Sequence, residues 1–595
     1  MSVQRVALVR TLVGLLQGVI LYRLYHAFAE RLWPATDGLV FAPLVLAVFF
    51  VPLVFIAGIG NLKLRTLALW TADALLLSLA LGYYDLWREP FEQYSPRPRL
   101  TPSPWIWVVL PAILFILHAL VAAGDGDRKY LASYLSYFEQ SWKQGVQLLL
   151  TILFVGVLWL LLWLGASLFG LIRISFFAQL LWKPWFSIPV TALATACAVH
   201  ITDVRTALIS GARTVKLTLL SWLLPVITFF VVLFLLALFT TGLEPLWSTR
   251  RAGTILLSTA AALVFLINAA YHDGRPETPV PLLLRQARFI AALTILPVVA
   301  LAAYALWLRI GQYGLTPPRV FASAATIIMA FYAMGYAYAA MRARLSLKPL
   351  EVTNVVTAYA IVATAVALFS PIADPWKIAA NNQVHRLATG FIPPEKFDFT
   401  FLRFDAGRYG REALEQLART TQGPQAETIA ERAKKALAAK TRYQTTPQAV
   451  TPPPTPAAKE ANIALLAAGA KTLPKDFLEQ TWEKHPRQYQ IPRCLYADTK
   501  CEAILIDADG DGTEEIVVWQ VPRGFAAVFG KEDNQWVFLG QLENSGCPGV
   551  RESLREGQFR YAAPRYRELT VGENRMRIVT QRSCAPQVKR EQKKE

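Results

Sequence analysis

The stretch Leu217-Thr-Leu-Leu-Ser-Trp-Leu-Leu-Pro-Val-Ile-Thr-Phe-Phe-Val-Val-Leu-Phe-Leu-Leu-Ala-Leu-Phe-Thr-Thr241 carries no charged residue. A helix rising about 1.5 Å per residue needs roughly 20 apolar residues to cross the hydrocarbon layer of a bilayer, and this run exceeds that. A large soluble core can hide one such helix, but not a long series of them. Here the pattern recurs, at 6–28, 39–60, 64–84, 104–123, 146–172, 186–201, 252–270, 289–308, 320–341 and 352–370. The sequence therefore predicts an α-helical polytopic membrane protein with about eleven transmembrane helices. The 186–201 run is the shortest. The first run is interrupted by Arg10, Gln17 and Arg23, whose arginines can snorkel towards an interface. Tyr22, Arg23, Tyr25 and His26 stand where a small-residue cleavage site would be needed, so this run reads as a retained helix rather than a signal.

Of the 595 residues, 54% are hydrophobic and 17% charged, against about 25% charged in soluble globular chains. The apolar excess is confined to 1–371, the predicted transmembrane domain. Residues 372–440 read as a juxtamembrane extracytoplasmic segment, helical through 409–418 and 426–440, where Ala, Leu, Glu and Arg dominate. A Pro/Thr-rich linker follows over 441–460, with Pro452, Pro453, Pro454 and Pro456. Strand-like runs at 503–506, 516–519, 526–529 and 536–539 predict a small, mostly β extracytoplasmic domain over 461–595.

The chain has 60 Lys and Arg against 42 Asp and Glu, a formal charge of +18. Such an excess raises nucleic acid as a partner, because cations release counterions from phosphates. Many of these cations instead sit in short loops between apolar runs, and no aromatics alternate with basic residues in the polar part, so nucleic acid is excluded as a partner. Lys63 and Arg65, then Arg205, Arg213 and Lys216, then Arg342, Arg344 and Lys348 occupy loops nearly free of acid, which places them and the N-terminus in the cytoplasm. The opposite loops mix Arg31, Arg88, Arg97, Arg99, Arg250 and Arg251 with Glu30, Asp37, Asp85, Glu89, Glu92 and Glu244. An odd number of spans then leaves the C-terminal domain periplasmic. Of the 5 cysteines, Cys197 lies in a span, while Cys494, Cys501, Cys547 and Cys584 share the last domain. That set suits two disulfides in an oxidising compartment, proximity pairing Cys494 with Cys501 and leaving Cys547 with Cys584. Four cysteines permit three connectivities, and zinc competes without any C-x-x-C spacing to support it.

Five motifs occur in order: Trp222-Leu-Leu-Pro225, Gly242-Leu-Glu-Pro-Leu-Trp247, Asn268-Ala-Ala-Tyr-His-Asp-Gly274, Ser370-Pro-Ile-Ala-Asp-Pro375 and Phe397-Asp-Phe-Thr-Phe-Leu-Arg-Phe-Asp-Ala-Gly-Arg-Tyr-Gly410. Together they resemble a bacterial family of polytopic inner-membrane proteins known only as domain of unknown function four-one-five-three, over roughly the first two-thirds of the chain. The resemblance implies a bacterial inner-membrane location. It transfers no established activity and no catalytic residue.

Several constellations can carry chemistry. In Asp507-Ala-Asp-Gly-Asp-Gly-Thr-Glu-Glu515, Asp507, Asp509 and Asp511 alternate so that their oxygens converge on one hard cation, with the Thr513 carbonyl and Glu515 as further ligands. Strands flank it and Val518 stands where an EF-hand needs its glutamate, so it looks more like the calcium loops of β-repeat domains; the alternative is a plain acidic hairpin. Within the membrane, Asp73 is expected to pair with Arg10 or His118, as a packing lock or a proton-linked site. Gly14 and Gly18 form a G-x-x-x-G, and Asn268, Tyr271, His272 and Asp273 cluster at one span end. The aromatics Tyr130, Tyr134, Tyr137, Phe138 and Trp142 suit an amphipathic helix lying in the interface. There is no P-loop, no H-E-x-x-H and no G-x-S-x-G. The chain thus reads as transporter-like or as an envelope scaffold, with membrane lipids and other envelope proteins as partners and calcium as the cofactor of its outer domain. The alternative is a membrane-embedded lipid-linked glycosyltransferase using Glu30 or Asp37 in the first outer loop.

Overall fold

The computed structural model describes residues 2–89, 100–204, 206–248, 251–271, 281–343, 347–423, 425–439, 441–442, 454–466, 472–482, 490–520, 525–542, 544–556, 558–562, 569–571 and 574–576; the side chains of 206–216, 218, 247–248, 343, 555, 569–571 and 574–576 lie outside that description. The chain forms two compact units, Met1–Thr445 and Thr446–Glu595.

The first unit opens with α1 (Val3–Ala29), α2 (Gly38–Gly58), α3 (Leu64–Trp87), α4 (Ile106–Asp127), α5 (Tyr134–Leu171), α6 (Phe176–Leu181) and α7 (Pro184–Val204). It continues with α8 (Thr206–Thr241), α9 (Glu244–Ser248), α10 (Ala252–Tyr271), α11 (Leu282–Tyr313), α12 (Pro317–Ala343) and α13 (Leu350–Leu368). All of these except the short α6 and α9 are long and apolar enough to cross a membrane, which makes 11 candidate spans among the described residues. α1, α2, α3, α4 and α7 pack as one group and α8, α10, α11, α12 and α13 as another, with α5 touching both.

Close approach holds the first group together. A Cβ on Gly14 would lie 2.5 Å from the Ala196 Cβ, and one on Gly18 would lie 2.5 Å from the Pro189 Cα, so α1 and α7 meet backbone to backbone. Gln17, between those glycines, is buried and donates to the Val48 and Phe49 carbonyls of α2 at 3.2 and 2.8 Å. Val48 is four residues before Pro52, which has no N–H to offer it, so Gln17 satisfies an acceptor that proline frees. The aromatic segment expected to lie in the interface is instead the opening of α5. Tyr137 packs on Leu120 and Ala123 of α4, and Phe138 on Leu217 and Ala269.

Beyond α13, four helices form a cap: α14 (Pro375–Ala388), α15 (Phe399–Phe404), α16 (Gly407–Ala418) and α17 (Ala426–Ala438). They bury Phe397, Phe399, Leu402, Leu414 and Ala433 between them.

In the second unit, β1 (Ile463–Leu465), β2 (Cys501–Ile506), β3 (Glu515–Gln520), β4 (Ala526–Glu532) and β5 (Gln535–Leu542) form a sheet in that spatial order, β1 parallel to β2 and the rest antiparallel. The strands β2 to β5 contain the four runs expected from sequence. Along β3, Ile516 and Val518 face a core with Phe477, Trp482 and Phe529, while Val517 and Trp519 face the opposite cluster. This is the two-residue alternation of a strand covered on both sides. A separate hairpin pairs β6 (Leu569–Val571) with β7 (Asn574–Met576).

Candidate functional site

The polar side chains of the first unit gather in three places, each assembled from helices distant in sequence. The first lies where α1, α2, α5 and α7 meet. Arg10 is fully buried, and its guanidinium donates to Asp203 Oδ2 at 2.8 Å and to the Ile59 carbonyl at 2.7 Å. His200 Nδ1 lies 3.4 Å away. Asp203 also accepts from Asn61 Nδ2 at 3.1 and 3.2 Å and sits 3.1 Å from Lys143 Nζ, which in turn donates to Asn61 Oδ1. One carboxylate thereby bridges two cations and ties four segments together.

The expected partners of Asp73 are otherwise engaged. Arg10 pairs with Asp203, and His118 accepts from Trp70 Nε1 at 3.0 Å inside the core. The buried stripe of α3 runs through Leu67, Trp70, Ala74, Ser78 and Leu81. Asp73 lies off that stripe, exposed beside Leu69 and Leu76, and forms no hydrogen bond or ion pair with a described residue. Arg10 does not reach out to the surface, because Asp203 compensates its charge where it is buried.

The second place is the C-terminal end of α3. Arg88 donates to Asp85 Oδ1 at 2.7 Å, and the other Asp85 oxygen accepts from the Ser103 N–H at 2.6 Å. Asp374 caps α14 by accepting from the Trp376 and Lys377 N–H groups at 2.7 and 3.2 Å. It also accepts from Tyr84 Oη at 2.8 Å and lies 3.8 Å from Arg88. Tyr84 and Tyr409 share a hydrogen bond of 2.9 Å, Arg88 stacks over Trp376 at 3.7 Å and Arg408 over Trp87 at 4.1 Å. Asp374, Arg408 and Tyr409 come from the last two sequence motifs, so those motifs dock the cap onto α3.

The third place joins α5, α10, α12 and α13. Asn268 donates to Tyr336 Oη at 2.7 Å, Tyr336 donates to Asn354 Oδ1 at 2.6 Å, and Asn354 donates back to Asn268 Oδ1 at 2.6 Å, a closed ring of three. Tyr134 Oη lies 3.5 Å from both asparagines, and Tyr271 donates to Glu351 at 2.7 Å.

In the second unit, carboxylate oxygens of Asp507, Asp509 and Asp511 lie within 4.8 Å of one another in the exposed loop between β2 and β3. The loop's own N–H groups orient them: Gly510 donates to Asp507 at 2.7 Å and Thr513 to Asp511 at 2.6 Å. Glu515 is buried and accepts from the Ala508 N–H at 2.6 Å, so it braces the loop instead of joining the three aspartates. Cys494 and Cys501 form a disulfide. Asp37 accepts from the Leu39 N–H as the N-cap of α2, and Glu30 stands at the C-terminal cap of α1.

Glu92, Arg97, Arg99, Arg250, His272, Asp273, Gly274, Arg344, Pro452, Pro453 and Cys584 lie outside the described residues, as do the side chains of Arg205, Arg213 and Lys216. Sequence reasoning passed over Asp203, which follows the expected 186–201 span by two residues, and took Asp85 and Arg88 for loop charges. The signal for the latter pair was available in Asp374 and Tyr409, which stand in motifs too polar to be spans and so needed a partner.

A family model described as Domain of unknown function (DUF4153) matches residues 18–419, which include Asp85, Asp203, Asn268, Asp374 and Tyr409 and end before the second unit. No curated protein and no solved structure matches the chain.

Proposed function

Because the chain belongs to the DUF4153 family of domains of unknown function, we propose that it is a bacterial inner-membrane scaffold that presents its C-terminal unit in the periplasm. The observation that carries this reading is the disposition of charge. Arg10, Asp203, Asp85, Arg88 and Asp374 are consumed in contacts between helices, which brace the bundle, whereas the carboxylate a proton-linked pathway would use, Asp73, points away from it. The orientation draws on an odd number of candidate spans, on the acid-poor loops at Lys63 and Arg342, and on a disulfide that needs an oxidising compartment. Membrane lipids and other envelope proteins are its partners. Calcium is its cofactor, held by Asp507, Asp509 and Asp511, a donor set of hard oxygens that fits a hard cation and would stiffen the loop between β2 and β3. For the transferase alternative, Asp37 is engaged as the N-cap of α2, which leaves Glu30 as its candidate acid.

Alkaline phosphatase fused after Glu595 is expected to be active, and a fluorescent protein at the same point dark; the reverse pattern ends the reading. Proteoliposomes of the full chain, clamped with valinomycin and loaded with a pH dye, are expected to pass protons no faster than those carrying Asp73→Asn. A flux that depends on Asp73 would restore the transporter.

A further inference from the structure

Near the middle of α3 the chain turns a carboxylate outward. Asp73 is exposed on the surface of its unit and meets no described residue in a hydrogen bond or ion pair. Its flanks are apolar: Leu69 and Leu76 are exposed beside it, and Ala68, Ala72 and Ala80 lie on the same exposed face at helical spacing. In a span this arrangement is out of balance. Hydrocarbon offers the carboxylate neither a donor nor a counter-charge, and ionisable groups at that depth persist where something pairs them. Elsewhere in the same unit a buried charge is paired, for Arg10 is met by Asp203.

We infer that the Asp73 face of α3 is the docking surface for a transmembrane helix of another protein, one that carries a single lysine or arginine at mid-bilayer depth. The inference rests on the scaffold reading and names the kind of partner the scaffold holds. Charge complementarity selects the occupant. A second copy of this chain, related by a two-fold axis along the membrane normal, would bring two Asp73 carboxylates together, and like charges repel in a low dielectric. Asp73 stands about 14 Å along α3 from Leu64, beyond ready reach of a lipid headgroup at that helix end. The alanines allow the incoming backbone to come close, as small residues do in helix pairs within membranes, and the leucines flank the polar contact and keep it dry. The contact is a charge-assisted hydrogen bond, with the basic side chain donating to Asp73.

The probe is a synthetic transmembrane peptide of leucine and alanine with one central lysine, tagged with an energy-transfer acceptor. The full chain, with a donor at its C-terminus, is reconstituted in phosphatidylcholine vesicles. The lysine peptide is expected to associate about tenfold more strongly than a peptide with leucine at the same position, a preference of the size that one intramembrane polar contact supplies. Asp73→Asn and Asp73→Leu should abolish the preference while leaving abundance and thermal stability unchanged, because Asp73 holds no described residue of its own unit. Equal association of the two peptides would overturn the inference, and so would a preference that survives in Asp73→Leu. Single-molecule photobleaching that found dimers of the chain dependent on Asp73 would also overturn it, by assigning the face to a second copy. These outcomes are separate from the phosphatase fusion and proton flux that test the scaffold reading itself.

Discussion

Arg10 and Asp203 are 193 residues apart in sequence yet 2.8 Å apart in space, and neither position alone announces the other. Removing one partner leaves the other buried and uncompensated, a loss of about 3 kcal/mol or more in comparable pairs, whereas replacing both with apolar groups is close to neutral. Arg10→Leu and Asp203→Leu should therefore each lower the melting temperature of the detergent-solubilised protein, and the double variant should recover most of the loss, in thermal unfolding followed by size exclusion. A double variant as unstable as the singles would mean that Asp203 serves Lys143 or Asn61 more than Arg10. Sequence reading found Arg10, His118 and Asp73 as intramembrane polar groups because charge inside an apolar run is conspicuous. It mispaired them because hydropathy has no angular content. The face of α3 that buries Trp70 and Ala74 is set by packing against its neighbours, since apolar residues surround the helix, and Asp73 lies off that face.

Elements were more legible than contacts, since each carries its own signal in period and caps. The spans, the helices α16 and α17 and the strands β2 to β5 were all readable in that way, while the role of the Phe397–Gly410 motif was not. Its purpose is packing: Asp398 caps α15 by accepting from the Phe401 N–H, and a Cβ on Gly410 would lie 2.1 Å from the Leu402 carbonyl oxygen and 2.5 Å from the Ala406 Cβ. Gly410→Ala must push α16 off α15, at a cost of roughly 1–3 kcal/mol for overpacking. Limited proteolysis should then cut faster in the cap, after Arg411 or Arg419, with the spans left intact; unchanged cleavage would mean that the cap yields without strain. The loop between β2 and β3 belongs to the same scale. Millimolar calcium should raise the unfolding temperature of the second unit, magnesium should do so less, and Asp509→Asn or Asp511→Asn should erase the difference in calorimetry of the full chain. Equal responses to the two ions would leave an acidic hairpin.

At the scale of the whole molecule, the two units answer to different solvents. The first is stabilised by helices that satisfy their own backbone groups in hydrocarbon, and sealed polar contacts brace them against one another. The second is a small sheet with a modest core, and the disulfide Cys494–Cys501 ties the turn Arg493–Leu495 to β2. Closing so short a loop contributes about 2.5 kcal/mol by constraining the unfolded chain, enough to matter for a unit of this size and irrelevant to the spans. This separation permits one experiment on orientation and stability together. In cells lacking the periplasmic thiol oxidase, a periplasmic second unit should expose its cysteines, Cys494 and Cys501 among them, to alkylation beyond the labelling of Cys197, and proteases should remove that unit while the membrane unit persists at its normal abundance. In cells with the oxidase, those thiols should resist alkylation until a reductant is added. Thiols that react equally in the two strains would put the second unit in the cytosol, where the disulfide would have no oxidant and the acid-poor loops would face outward against the usual charge bias.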